Sequence, residues 1–166
     1  ACDFGFHDAT AIVILRLVQF REELAQLDGS VRVVTGEKAH VLYAEKKSQW
    51  QLPDIAARVR ELAHLFRCGT IIGDSGGNRL IVEAFSSQFG VPMLPAQKGG
   101  FGVKRARIHT LSDLLAMGQI VIYESAAPLL HELSSLVLND ERDDHDSRQP
   151  DHAADAEHQV YVAQAH

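Results

Sequence analysis

Cysteine is nearly absent from this 166-residue sequence. Cys2 and Cys68 are the only two, and they form neither a disulfide framework nor a zinc-finger spacing, so a reduced, intracellular protein is the expectation. No apolar run reaches the ~20 residues of a membrane-spanning helix, and no charged-then-apolar leader opens the sequence. There is no basic excess either, with 16 Lys and Arg against 22 Asp and Glu. That removes the usual electrostatic sign of a nucleic-acid partner without excluding one. The glycine-rich stretch GDSGGN at 73–78 lacks the Lys-Ser/Thr that completes a phosphate loop, so no ATPase motor is expected here.

What is present is a globular composition, 46% apolar and 23% charged, long enough to bury a core. The net charge of −6 is local. Residues 139–158 hold eight acids and two arginines, and the remaining chain balances at 14 of each sign. The sequence opens inside an apolar stretch without an initiator Met, and is expected to be one domain, residues 1–166, of a longer chain.

Residues 1–6 alternate, and residues 10–18 are rich in strand formers, which predicts a hairpin. Residues 20–28 read as a short polar helix. Val31–Thr35 and His40–Lys46 flank Gly36-Glu37-Lys38, a second hairpin signal. Pro53 starts a helix with Leu52, Ile55, Val59, Leu62 and Phe66 on one stripe, ended by Gly69. A short buried strand at 70–74 follows, then a helix at 78–89 with Leu80, Ile81, Ala84, Phe85 and Phe89 inward. A strand at 91–94, a basic glycine-rich loop, a helix at 104–117, a strand at 119–123 and a helix at 128–138 complete the alternation. Asp151 is a plausible N-cap of a last helix. Hairpins first and strand–helix units afterwards predict an α/β protein: a ribonuclease H-like mixed β-sheet with helices on both faces.

Three carboxylates stand where apolar neighbours make them costly. Asp3 lies inside the first strand, with Gly5 on its face leaving room for an approaching group. Asp74 ends a buried strand, the edge where open α/β sheets place their sites, although it would equally serve as a helix N-cap. Asp155 sits among Ala153, Ala154 and Ala156, whose small side chains let a helix pack close to a sheet. Converging, three hard-oxygen donors would suit Mg²⁺ or Mn²⁺. Two such ions about 3.5–4 Å apart can activate a water and stabilise the leaving oxygen of a phosphodiester. Asp8 is a further candidate ligand, though hairpin turns favour Asp anyway. Glu61 and Glu132 read as ordinary helix glutamates. Lys98, Lys104, Arg105 and Arg107 form an acid-free basic stretch, with Phe101 and flexible glycines, suited to phosphate contact.

The stretches DFGFHDATAIVIL (3–15), IIGDSGG (71–77), LPAQKGGFGVKRARIHTLSDLLAMGQIVI (94–122), LLHELSSLVLND (129–140) and DHAADA (151–156) resemble, in order, segments of the nuclease domain of viral large terminase subunits. The resemblance implies a metal-dependent endonuclease that cuts concatemeric viral DNA during genome packaging, with Asp3, Asp74 and Asp155 as catalytic acids on two divalent ions. Asp3 would bridge both ions, and in-line hydrolysis would leave a 3′-hydroxyl and a 5′-phosphate. It also implies double-stranded DNA as substrate, an ATPase motor domain on the same full-length protein, and a small terminase subunit and portal as partners in the infected host cytoplasm. The sequence departs from the pattern in three places. An acid common before the last Asp is replaced by Ala153, leaving His152 as a candidate supporting ligand. The next aromatic, Tyr161, comes late, and residues 20–39 are longer than many members need. A Holliday-junction resolvase or ribonuclease H of the same fold would share these carboxylates, and a non-catalytic nucleic-acid-binding module would keep the fold alone.

Overall fold

The computed structural model describes residues 1–5, 9–74, 79–96, 103–135, 138–139 and 144–145, with backbone only at 79, 103–105, 138–139 and 144–145. Eight strands and four helices follow in chain order: β1 (Cys2–Asp3), β2 (Ala9–Ala25), β3 (Val31–Ser48), α1 (Leu52–Phe66), β4 (Ile72–Asp74), α2 (Arg79–Ser87), β5 (Leu94–Pro95), α3 (Val103–Ala116), β6 (Ile120–Ile122), α4 (Ala127–Ser135), β7 (Leu138–Asn139) and β8 (Asp144–His145). Six strands make one sheet in the order β5-β4-β1-β2-β3-β6, and β7 and β8 pair separately. The β1–β2 and β2–β3 pairs are antiparallel, and the β1–β4, β4–β5 and β3–β6 pairs are parallel. This is the mixed sheet that the order of sequence signals predicts. Among the described residues, no helix is long and apolar enough to cross a membrane.

Each face of the sheet carries its own core. On one, Cys2, Phe4, Ile12 and Ile14 meet Ile55, Val59 and Leu62 of α1 and Ile81, Val82 and Phe85 of α2. On the other, Ala11, Val13, Ala39, Val41 and Ala44 meet Leu111 of α3 and Leu129 of α4. The alternation of β2, with Ile12 and Ile14 on one side and Ala11 and Val13 on the other, is the period-two pattern of a strand buried on both faces. A bulge between Ile14 and Leu15, where register passes from Tyr43 to Val41, lets Val41 and Ala44 share a face despite their odd spacing.

Two expectations fail in the hairpin. Residues 20–25 continue β2 instead of forming a helix, and β3 runs unbroken through Gly36-Glu37-Lys38. The turn lies at Asp28-Gly29. Gly29 has φ of 79°, and the Asp28 carboxylate accepts the Ser30 backbone N–H at 2.9 Å and its hydroxyl at 2.6 Å, the side-chain turn that Asp favours. These bonds hold the Asp28 carboxyl below its ordinary pKa.

Gly36 is glycine for packing. It pairs with Phe20 across the ribbon, and a Cβ there would lie 2.8 Å from the Phe20 ring. An aromatic covering a cross-strand glycine restores the lost side-chain contact. Lys38 adds its ammonium 4.7 Å from the centre of the same ring. Gly36→Val is therefore expected to cost about 1 kcal/mol or more in denaturant unfolding, despite valine's strand preference; a stabilised variant would show that Phe20 does not occupy that space.

In α1, Ile55, Val59 and Leu62 are buried as the stripe predicts, but the helix is closed by Arg67 in the left-handed conformation (φ 54°), two residues before Gly69. In α2, Leu80 is 70% exposed and Val82 takes the inward position instead. The predicted helix N-cap at Asp151 lies outside the described residues.

Candidate metal and phosphodiester site

The site is built on four adjacent strands. Asp3 pairs in register with Asp74 on the parallel strand β4. It also pairs with Ala11 on antiparallel β2, and Ala11 pairs with Lys46 on β3. Directly opposed residues project to the same face, so Asp74, Asp3, Ala11 and Lys46 form one row across the sheet, on the side packed by α3 and α4. Both acids close their strands at the carboxyl end. The ladder continues one residue further, with the Phe4 N–H donating to the Asp74 carbonyl at 3.4 Å and the Ala96 N–H to the Gly73 carbonyl at 2.9 Å.

The residues next to the acids hold the strand ends in place. Gly73 faces the opposite side, where a Cβ would sit 3.0 Å from the Phe4 ring and collide with Met93. Phe4 packs against Phe85 with ring centres 5.0 Å apart and the ring planes tilted by 48°. Apolar packing on one face thus fixes the backbone that aims Asp3 and Asp74 at the other. Gly5 has a different purpose from the one its sequence position implies. A Cβ there would lie 2.6 Å from the Ala9 carbonyl oxygen, so its missing side chain accommodates the returning chain and leaves no open approach.

Asp74 is buried, at 9% exposure, and Asp3 is half-buried. The two carboxylates on neighbouring strands are a donor set of the hard-oxygen kind that Mg²⁺ and Mn²⁺ prefer. Among the described residues, no cluster of three or more His, Cys, Asp or Glu side chains gathers to hold a metal. The pair needs a further donor, and Asp155, the expected one, lies outside the described residues, as do His152, Asp8 and Lys98. Lys104, Arg105 and Arg107 fall in the first turns of α3, where the side chain of Arg107 is half-buried.

Sequence reasoning passed over a charged pair beside the acids. Glu132 is almost fully buried on α4 and accepts a hydrogen bond from the Lys46 ammonium at 2.7 Å. One signal was available: Glu132 lies three residues after Leu129, on the apolar stripe of α4, where a carboxylate is costly without a partner. Glu61, in contrast, is exposed and bonded to Arg58 at 2.8 Å, as a solvated helix glutamate would be. Cys2, beneath the acids on the other face, is no competing ligand or nucleophile, because burial pushes its thiol pKa up to about 11.

No family model and no curated protein matches this sequence, whereas solved structures do match its fold. The large terminase nuclease domain of bacteriophage SPP1, solved with bound Mn, superposes at a TM-score of 0.67 with 17% identity, over 98% of this chain and 84% of that one. The large terminase nuclease domain of P22 gives 0.69 at 16% identity, over 99% and 79%. The nuclease of the large terminase of thermophilic phage G20c, with bound magnesium, gives 0.62 at 19%, over 97% and 78%. The chain has the ribonuclease H-like fold. Within that class its architecture is that of the large terminase nuclease domains, as the sequence resemblance implied.

Proposed function

We propose that this chain is the nuclease domain of a phage large terminase, a metal-dependent endonuclease that cuts concatemeric viral DNA during packaging. The observation that carries the reading is the in-register Asp3–Asp74 pair at the carboxyl ends of adjacent parallel strands, in a sheet shared with terminase nuclease domains. The large terminase of a second thermophilic bacteriophage matches over 98% of this chain but only 38% of its own length, which supports one domain, residues 1–166, within a motor–nuclease protein. The small subunit, the portal and the host cytoplasm belong to the same reading.

Asp3, Asp74 and Asp155 would hold two divalent cations, with His152 or Asp8 in support. When bound, the cations would supply Lewis-acid polarisation of the phosphodiester and a lowered pKa for an attacking water. The chain's own part is placement. The two strand ends fix two carboxylates against a rigid apolar layer, so little reorganisation is needed when charge develops on the phosphate. Lys98, together with Lys104, Arg105 and Arg107 of the first turns of α3, would contact phosphates and orient the duplex without reading sequence.

The deciding experiment is plasmid nicking in Mg²⁺ or Mn²⁺ by the parent and by Asp3→Ala, run beside an RNA–DNA hybrid. Metal-dependent nicking that Asp3→Ala abolishes is the expected result. Cleavage of the hybrid alone would reassign the chain to ribonuclease H, and no cleavage of either would leave a binding module.

A further inference from the structure

The row that carries the acids also carries a lysine that the nuclease reading does not use. Lys46 is two strands from Asp3 through Ala11, a backbone separation of roughly 10 Å at the usual strand spacing. Ala11 between them is fully buried in the layer under α3 and α4, whereas Asp3 closes β1 and Lys46 lies two residues from the end of β3, on the same edge of the sheet. Lys46 keeps its side chain 23% exposed, while Glu132, which it meets at 2.7 Å, keeps 3%. An ammonium has three donors, so one bond to Glu132 leaves two for another acceptor.

Stability alone does not account for the pair. Taking two charges out of water costs about as much as their attraction returns, and apolar residues of similar volume commonly do as well. The surrounding core is apolar, with Leu129 of α4 and Ala44 of β3 among its members, and would accept such a replacement. What the pair does provide is a positive charge held in one place. Glu132 fixes the ammonium end of a flexible stem, on the sheet face from which the carboxylates project.

We propose that Lys46 is a phosphate-binding residue: its ammonium, positioned by Glu132, contacts the DNA backbone next to the phosphodiester held at Asp3 and Asp74. The proposal rests on the nuclease reading. A DNA strand laid along the sheet edge at which the acids end their strands would pass the end of β3, and Lys46 is the cation of that row. Glu132 acts through Lys46 and is a positioning residue.

The test uses the charge-neutral double variant Lys46→Met/Glu132→Leu, which removes both charges of the ion pair together. Binding of a fluorescent 30-base-pair duplex is measured by anisotropy in EDTA across a salt series, with Mn²⁺ affinity measured separately by calorimetry. The double variant is expected to bind DNA about 3- to 10-fold more weakly, with the log–log salt slope reduced by about one, and to bind Mn²⁺ as the parent does. Lys46→Arg, which keeps the charge, should restore most of the affinity. Unchanged DNA affinity and slope in a folded double variant would overturn the proposal and make the pair a packing feature. A parent with no salt-dependent DNA binding would overturn it too. The nuclease reading fails on a different result, an Asp74→Asn variant that nicks plasmid as the parent does.

Discussion

Asparagine in place of Asp3 or Asp74 is expected to lower Mn²⁺-dependent plasmid cleavage by about 10³-fold or more. Asp3 and Asp74 are in-register partners on adjacent parallel strands, and Asp74 is buried, so both carboxylates project to the face where a cation would meet them together. Asparagine has nearly the same shape and no charge, so it removes the anionic metal-binding oxygen while keeping the packing. The parent should gain stability with Mn²⁺, by about 2.7 kcal/mol at a hundred times the dissociation constant, or roughly 5–10 °C for a chain of this size. Each variant should lose most of that gain. Thermal unfolding with and without Mn²⁺, beside the nicking assay, measures both. A parent whose melting temperature ignores Mn²⁺ would remove the metal centre from the interpretation.

Phe85→Ala carries the largest expected stability effect away from the acids, a loss of about 3–5 kcal/mol, a substantial part of a typical domain's total. Phe85 is fully buried and lies between Phe4, with ring centres 5.0 Å apart, and Phe89, at 5.7 Å. Aromatic pairs of this kind add about 0.5–1.5 kcal/mol beyond the area they bury. The connection to the site is short. β1 is only Cys2–Asp3, and Phe4, the next residue, ties it to α2. Losing the ring should therefore loosen Asp3 as well as the core, and weaken Mn²⁺ binding in whatever fraction remains folded. Denaturant unfolding measures the first effect and calorimetry the second, with Phe85→Leu as a milder variant that keeps the fold. A loss under about 1.5 kcal/mol for the alanine variant would mean that the layer closes around the gap and that Phe4 is held by other contacts.

Much of the architecture is legible in the sequence because burial imposes its period there. Ile12 and Ile14 alternate with Ala11 and Val13, and the α1 stripe of Ile55, Val59 and Leu62 repeats at helical spacing. The hairpin is misread for an equally physical reason. Beyond Leu17 the ribbon leaves the sheet, and Leu24, Leu27, Val31 and Val33 are exposed. With no buried face, residues 20–25 show no strand period. Glycine is the strongest turn signal in such a stretch, and only the cross-strand position of Phe20 shows that Gly36 is a packing glycine while Gly29 makes the turn.

By itself the sequence determined the alternation of strands and helices after residue 50, the two apolar layers, and the candidacy of Asp3 and Asp74, since each of these follows from neighbours within a few residues. Tertiary structure decided that the two acids are direct partners in one row, that Gly5 makes space for the backbone of Ala9, and that Lys46 and Glu132 belong to the same face. Those facts depend on register between strands 71, 8 and 35 residues apart, and on a helix 86 residues downstream of Lys46. Local periodicity shows which side of an element is buried. What a side chain meets on that side is fixed only when the sheet closes and the elements pack.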